Sequence, residues 1–292
     1  LMGSKEGIMH ISMAFLNPGD RVLVPNPGYP TYTSITRLVG AEVLPYPLRA
    51  ENHWLPDLEA LESQGLEGVK LMWVNYPHMP TGALAPDAFF EKLIAFARRN
   101  QILLCSDNPY SLVLNPAPQS LLGYEGAKEV AIELNSLSKS HNMAGWRVGM
   151  VGGAKEYIDP ILQIKSNMDS GMFLPMQEAA VKALSNSYAW HQSRNDEYRE
   201  RRKIAWQLLD KLGCMYESNQ SGMFVWARIP DTESNGEALS EKLLNQRSVF
   251  ITPGFIFGDE GEKYIRISLC APLHRMQEAL DRVETLQQIP QP

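Results

Sequence analysis

The run Val69-Lys70-Leu71-Met72-Trp73-Val74-Asn75 is apolar at five of its seven positions, the pattern of a strand covered on both faces of a parallel sheet. Its neighbours fit the same sheet. The turn Asn17-Pro18-Gly19-Asp20 leads into a predicted strand at residues 21–24, and the turn Asn26-Pro27-Gly28-Tyr29-Pro30 leads into a helix near 31–39. A strand at 41–46, a helix from about 56 and a helix at 86–100 follow, and the last leads into the apolar run 101–106. Strands alternating with helices predict an α/β fold.

The chain opens on an apolar-periodic helix, residues 5–16, with Ser4 as its N-cap. Backbone amides and the helix dipole at Ser4 and Lys5 make an anion site, with an ordinary capped helix as the alternative. Because that helix begins at once, the start reads as the middle of a domain. Later, a helix at 154–167 and a Ser170-Gly171 turn precede a helical region over 174–212, broken near Asn186-Ser187. That region reads as the connection to a smaller α/β domain, with strands at 222–227, 249–251 and 263–270 and helices at 235–245 and 276–287. The expected domains are residues 1–185 and 186–292.

Composition narrows the function. No apolar run approaches the ~20 residues of a membrane helix. The net charge of −6 is spread thinly and the densest charged run, 194–203, mixes both signs, which argues against nucleic acid and for small-molecule partners. Cys105, Cys214 and Cys270 form no close pair and read as reduced core residues of a cytoplasmic protein. The six histidines show no metal-ligand spacing, so no metal site is expected.

The densest chemistry lies in Ser136-Leu137-Ser138-Lys139-Ser140-His141-Asn142-Met143-Ala144-Gly145-Trp146-Arg147, between predicted strands at 129–134 and 147–152. Lys139 is expected in the turn joining them, without a neighbouring carboxylate and beside apolar segments. Burial there favours a neutral, nucleophilic amine. Arg147 offers a fork of donors suited to a phosphate, the alternative being a salt bridge at a strand start. Tyr29 follows a strand's C-terminal end, where open α/β sheets bind ligands; it could instead pack on its own loop. Asp107 and Tyr110 share the loop after residues 101–106, and the alternative for Asp107-Asn108-Pro109 is an Asx turn. Arg266, inside a predicted strand, either holds an anion or faces water from a sheet edge.

Serine-x-serine-lysine followed by glycine-x-arginine resembles the cofactor-lysine segment of the class I/II, fold-type I pyridoxal-phosphate aminotransferases. Four further segments match in that family's order: Gly3-Ser4-Lys5-Glu6-Gly7; Asn26 to Pro30; Met79-Pro80-Thr81-Gly82 with Ser106-Asp107-Asn108-Pro109-Tyr110; and Tyr264-Ile265-Arg266-Ile267-Ser268. The resemblance implies a large domain with a mainly parallel sheet, a smaller C-terminal α/β domain, and a homodimer with active sites at its interface. It implies transfer of an amino group between an L-amino acid and a 2-oxo acid through pyridoxal phosphate on Lys139. Ser4, Lys5, Ser136, Ser138 and Arg147 would hold the phosphate, and Tyr29 would stack on the pyridine ring. Asp107 would pair with the protonated ring nitrogen, Tyr110 would bond the phenolic oxygen, and Arg266 would grip the substrate's α-carboxylate. The segments look most like the aspartate, alanine and LL-diaminopimelate aminotransferase group, without fixing an amino donor.

One position departs from the pattern. The residue before Pro80 is usually an asparagine that donates to the phenolic oxygen, whereas Met79 cannot donate. The imine on Lys139 is therefore expected to hold its proton to higher pH than in relatives with asparagine. Two other functions share these motifs: a carbon–sulfur β-lyase, and the aminotransferase-like sensor domain of a transcription regulator.

Overall fold

The computed structural model describes residues 1–284. Its larger sheet comprises β1 (Arg21–Asn26), β2 (Glu42–Pro47), β3 (Val69–Val74), β4 (Leu103–Asp107), β5 (Ala131–Ser136) and β6 (Gly149–Gly153), in the order β2-β1-β3-β4-β5-β6. Every pair is parallel except β5 with β6, which is antiparallel. Helices α1 (Ser4–Phe15), α2 (Pro30–Leu38), α3 (Leu58–Ser63) and α4 (Asp87–Asn100) belong to this half, with α5 (Leu137–Ser140) and α6 (Lys155–Met168).

The apolar run at β3 is buried on both faces. Leu71 and Trp73 join Ile8 and Ile11 of α1 and Tyr32 of α2 in one core. Met72 and Val74 join Phe89, Leu93 and Phe96 of α4 in another. Period-two alternation thus places successive side chains on opposite faces, each covered by helices.

Helix boundaries follow local chemistry. Pro30 occupies the first turn of α2, where its missing N–H costs no helical hydrogen bond. Asp57 accepts from the Ala60 amide, so α3 starts at Leu58 and not at Pro56. Helix α4 closes on Arg98 and Arg99, whose charges suit its C-terminal end.

Beyond the sheet run α7 (Leu174–Leu184) and α8 (Tyr188–Lys211), separated at the expected break, where Ser187 accepts from the Trp190 amide. A second sheet, β7 (Met215–Tyr216), β8 (Phe224–Arg228), β9 (Thr252–Pro253) and β10 (Tyr264–Ser268), has the order β7-β8-β10-β9 and antiparallel pairs throughout. Helices α9 (Gly236–Arg247) and α10 (Leu273–Glu284) complete it. No helix among the described residues is long and apolar enough to cross a membrane.

Three expectations need correction. Residues 249–251 are not a strand: the short strand is Thr252–Pro253, where Thr252 pairs with Arg266 and Pro253 with Ile265. Cys270 lies past the end of β10 and is exposed, unlike buried Cys105 and Cys214. The closing helix begins at Leu273, three residues before the expected Met276, and the end expected at 287 lies outside the described residues.

Candidate active site

The C-terminal ends of β1, β3, β4 and β5 deliver Asn26, Asn75, Asp107 and Ser136 to one edge of the larger sheet. That edge is where open α/β sheets present ligand sites. A cavity of about 330 Å³ opens there. Its walls include Ser4, Lys5, Tyr29, Asp107, Tyr110, Ser136, Ser138, Lys139 and Arg147, so nine of the ten residues expected from sequence meet in one place.

Lys139 sits in α5, a single helical turn and not an open one, between β5 and the segment leading to β6. Ser136 caps that turn by accepting from the Ser138 amide at 3.2 Å. Lys139 is half-buried, with Leu137, Ser138 and Ser140 buried around it.

On the cavity wall the chain assembles an anion cradle from Ser4, Lys5, Ser138 and Arg147. Gly3, and not Ser4 as expected, is the N-cap of the 12-residue helix α1; Ser4 is its first residue, and its hydroxyl is buried without a partner. The Arg147 guanidinium donates to Ser138 Oγ at 3.3 Å and to the Ala144 carbonyl at 2.9 Å. It also lies against Gly3, where any Cβ would collide with it, and Gly3 has φ +83°. Gly149 is needed beside it, since a Cβ there would stand 2.9 Å from Gly3 C and Ser4 N. Arg147 itself has φ 54°, a left-handed conformation rare for a side-chain-bearing residue.

Asp107, on the wall of the same cavity, is buried at 4 % exposure. Tyr32 Oη donates to its Oδ2 at 2.8 Å, while Oδ1 has no partner. Burial pushes this carboxyl up to about 6, against which the Tyr32 hydrogen bond pulls it down. Tyr110 packs edge-on against Phe224, and burial raises its hydroxyl well above the ordinary tyrosine value, with the Asp107 charge adding to the effect.

Arg266 lies outside this lining but next to it. Its strand, β10, runs between β8 and β9, so it is not at an edge. The guanidinium is flanked by the rings of Phe224 at 4.0 Å and Phe257 at 4.5 Å, and Nη1 lies 3.6 Å from Met79 Sδ. Its Nε is buried without a partner. Burial pulls its proton affinity below that of a free arginine.

Sequence reasoning missed Tyr32 and Asn75. Tyr32 falls three residues after Tyr29, one helical turn along α2, and the two rings meet edge to face at 5.5 Å. Asn75 is the polar end of the apolar run; its Nδ2 donates to the Asp107 carbonyl and its Oδ1 accepts from the Met79 amide at 2.8 Å. Both groups of that amide are used on backbone. Met79 also lines the cavity, and its thioether offers no N–H or O–H.

The residues present fit pyridoxal phosphate. An unpartnered hydroxyl, a helix N-terminus, Lys5 and Arg147 suit a phosphate. An unpartnered buried carboxylate oxygen suits a protonated ring nitrogen, and the primary amine of Lys139 lines the same cavity.

Comparison with known proteins agrees. The model of the family "Aminotransferase class I and II" matches residues 1–283. LL-diaminopimelate aminotransferase of Nitratidesulfovibrio vulgaris (strain Miyazaki F) is 41% identical over 289 residues, 98% of this chain and 74% of that protein. The Aquifex aeolicus enzyme of the same name is 39% identical over 98% of this chain and 74% of its own length. Among solved structures, substrate-bound BacF from Bacillus subtilis superposes with a TM-score of 0.93 at 39% identity, covering 99% of this chain and 74% of that one. The chain belongs to the class I and II aminotransferases, pyridoxal-phosphate enzymes that move an amino group between an amino acid and a 2-oxo acid.

Proposed function

We propose that Lys139 is the cofactor lysine and the base of this aminotransferase, and that the surrounding side chains take the roles their chemistry suits. The observation that carries this is the convergence of Lys139, Asp107, Arg147 and the start of α1 on one cavity. When bound there, pyridoxal phosphate supplies an electron sink for the negative charge left at the substrate's α-carbon. With the cofactor bound, Lys139 Nζ would take the proton from the substrate's α-carbon and pass it on within the cavity to the cofactor's side of the bond, since its return to the α-carbon would leave the amino acid unchanged. Asp107 keeps the ring nitrogen protonated, and Tyr110 donates to the phenolic oxygen. Ser4, Lys5, Ser136, Ser138 and Arg147 hold the phosphate, with Tyr29 against the ring. Arg266, held between two aromatic faces, receives the substrate's α-carboxylate on its fork.

The shared name of the relatives makes LL-diaminopimelate the first amino donor to try. Two sheets with separate strand orders support a division into residues 1–185 and 186–292. A homodimer is supported by the exposed apolar side chains Trp146, Phe173, Leu174, Val181 and Leu184. Three free cysteines support a cytoplasmic setting.

Protein supplied with pyridoxal phosphate and mixed with one amino acid at a time should form the matching 2-oxo acid from a narrow set of donors. Borohydride reduction followed by peptide mapping should mark Lys139. A mark on another lysine would remove the assignment, and pyruvate with ammonia from cystathionine would move the protein to the β-lyases.

A further inference from the structure

The reaction as described leaves one buried acid without a part. Glu133 and Asp107 are the two carboxylates buried among the described residues, at 9 % and 4 % exposure. They lie on adjacent parallel strands, with Ser106 paired to Glu133 and Asp107 to Leu134. A buried carboxylate without a cation is costly unless its oxygens are filled by donors. Those of Glu133 are filled by neutral ones: the Leu121 amide at 2.8 Å, Ser106 Oγ at 3.2 Å and Asn108 Nδ2 at 3.4 Å.

Two of these three donors are the residues on either side of Asp107. Glu133 therefore clamps the backbone that carries the catalytic carboxylate, both before it and after it. Two further bonds complete the brace: Asn135 Nδ2 donates to the Asn108 carbonyl at 3.0 Å, and Asn75 Nδ2 donates to the Asp107 carbonyl. Within this frame Tyr32 occupies Oδ2 of Asp107 and leaves Oδ1 without a partner. The charge of Glu133 acts on the same carboxyl, adding to the effect of burial in raising its proton affinity.

We infer that Glu133 is a positioning residue for the cofactor's ring nitrogen: by holding Ser106 and Asn108 it fixes the free oxygen of Asp107 toward the cavity, and it places a second negative charge behind that oxygen. The inference rests on the assignment of Asp107 proposed above. A residue serving only the fold would affect any ligand of the cavity alike. One serving the ring nitrogen affects only a ligand that has it.

The test compares equilibrium binding of pyridoxal phosphate with binding of its analogue in which carbon replaces the ring nitrogen, using the full 292-residue chain. Glu133→Gln should weaken pyridoxal phosphate by about tenfold or more, the scale of one charge-assisted hydrogen bond, and leave the analogue within about twofold. Ser106→Ala, which removes one arm of the clamp and no charge, should show the same selectivity at about threefold. Equal weakening of both ligands, or no weakening, would overturn the inference. If Glu133→Gln does not fold by circular dichroism, Ser106→Ala decides by the same criterion. Unmutated protein that binds both ligands equally would overturn the role of Asp107 and this inference with it. Failure to bind either would overturn the cofactor reading itself.

Discussion

Tyr32 Oη donates to Asp107 Oδ2 at 2.8 Å from a ring stacked on Trp73, 4.9 Å between centroids and 5° from parallel. The stack fixes the ring, so the hydroxyl has one place to point. Tyr32→Phe keeps the stack and removes the donor. Loss of a hydrogen bond to a buried charged group costs about 1.5–3 kcal/mol. Pyridoxal phosphate should therefore bind more weakly to this variant, while its circular dichroism stays unchanged. Unaltered affinity at neutral pH would show that Asp107 needs no help from Tyr32.

Asp107 also makes the cofactor-free protein's stability depend on pH. Its carboxyl rises from 3.8 to about 6 in the fold, so between these values the folded state binds more protons than the unfolded chain. The stability this contributes is fully present below pH 3.8 and is lost as pH rises through about 6. Asp107→Asn removes the titration and should flatten this slope. In urea unfolding at pH 4 and pH 8, the variant should gain relative to the parent by about 3 kcal/mol at the higher pH. Parallel pH profiles would refute it.

Much of the site was legible because its residues fall at the ends of strands whose apolar pattern is strong. Asp107 follows the run 101–106, Lys139 follows β5, and α1 opens at Ser4, so placing the strands places the chemistry. Tyr32 was missed because a tyrosine in a helix facing the sheet reads as core, which it also is. Asn75 was missed because its partners are backbone atoms, the Asp107 carbonyl on the next strand and the Met79 amide in the bend that follows, and no side-chain pattern encodes those. The strand expected at 249–251 failed for a related reason. Its β-branched residues carry the propensity, but the ladder to β10 forms at the next two residues, Thr252 and Pro253, where tertiary contact decides. Cys270 reads as core by residue type, yet the strand ends at Ser268 and leaves it outside.

Gly149 tests the anion cradle from a residue that carries no side chain. The added methyl of Gly149→Ala would meet Gly3 C and Ser4 N at 2.9 Å, and both are backbone atoms that cannot turn aside. The start of α1 must then move from its place beside Arg147. Affinity for pyridoxal phosphate should fall by about tenfold or more, given the one or more phosphate hydrogen bonds at stake. Pyridoxal, which lacks the phosphate, should bind the variant and the parent alike. Equal losses for both ligands would place the damage elsewhere.

Met79 faces the cavity from the bend after β3, with its sulfur beside Arg266 Nη1 and its amide tied to Asn75. A thioether accepts weakly and donates nothing, so under the roles proposed above Tyr110 would be left to stabilise negative charge on the phenolic oxygen. With fewer donors, that oxygen would hold more strongly to a proton shared with a nitrogen bonded through Lys139. Met79→Asn adds a donor, draws charge from the oxygen and should release that proton at lower pH. In protein loaded with pyridoxal phosphate, the midpoint of the visible absorbance titration should therefore move down in the variant. Since Arg266 keeps its place between Phe224 and Phe257, KM for the amino acid should change less than this midpoint. Identical midpoints in the two proteins would show that position 79 does not act on the phenolic oxygen.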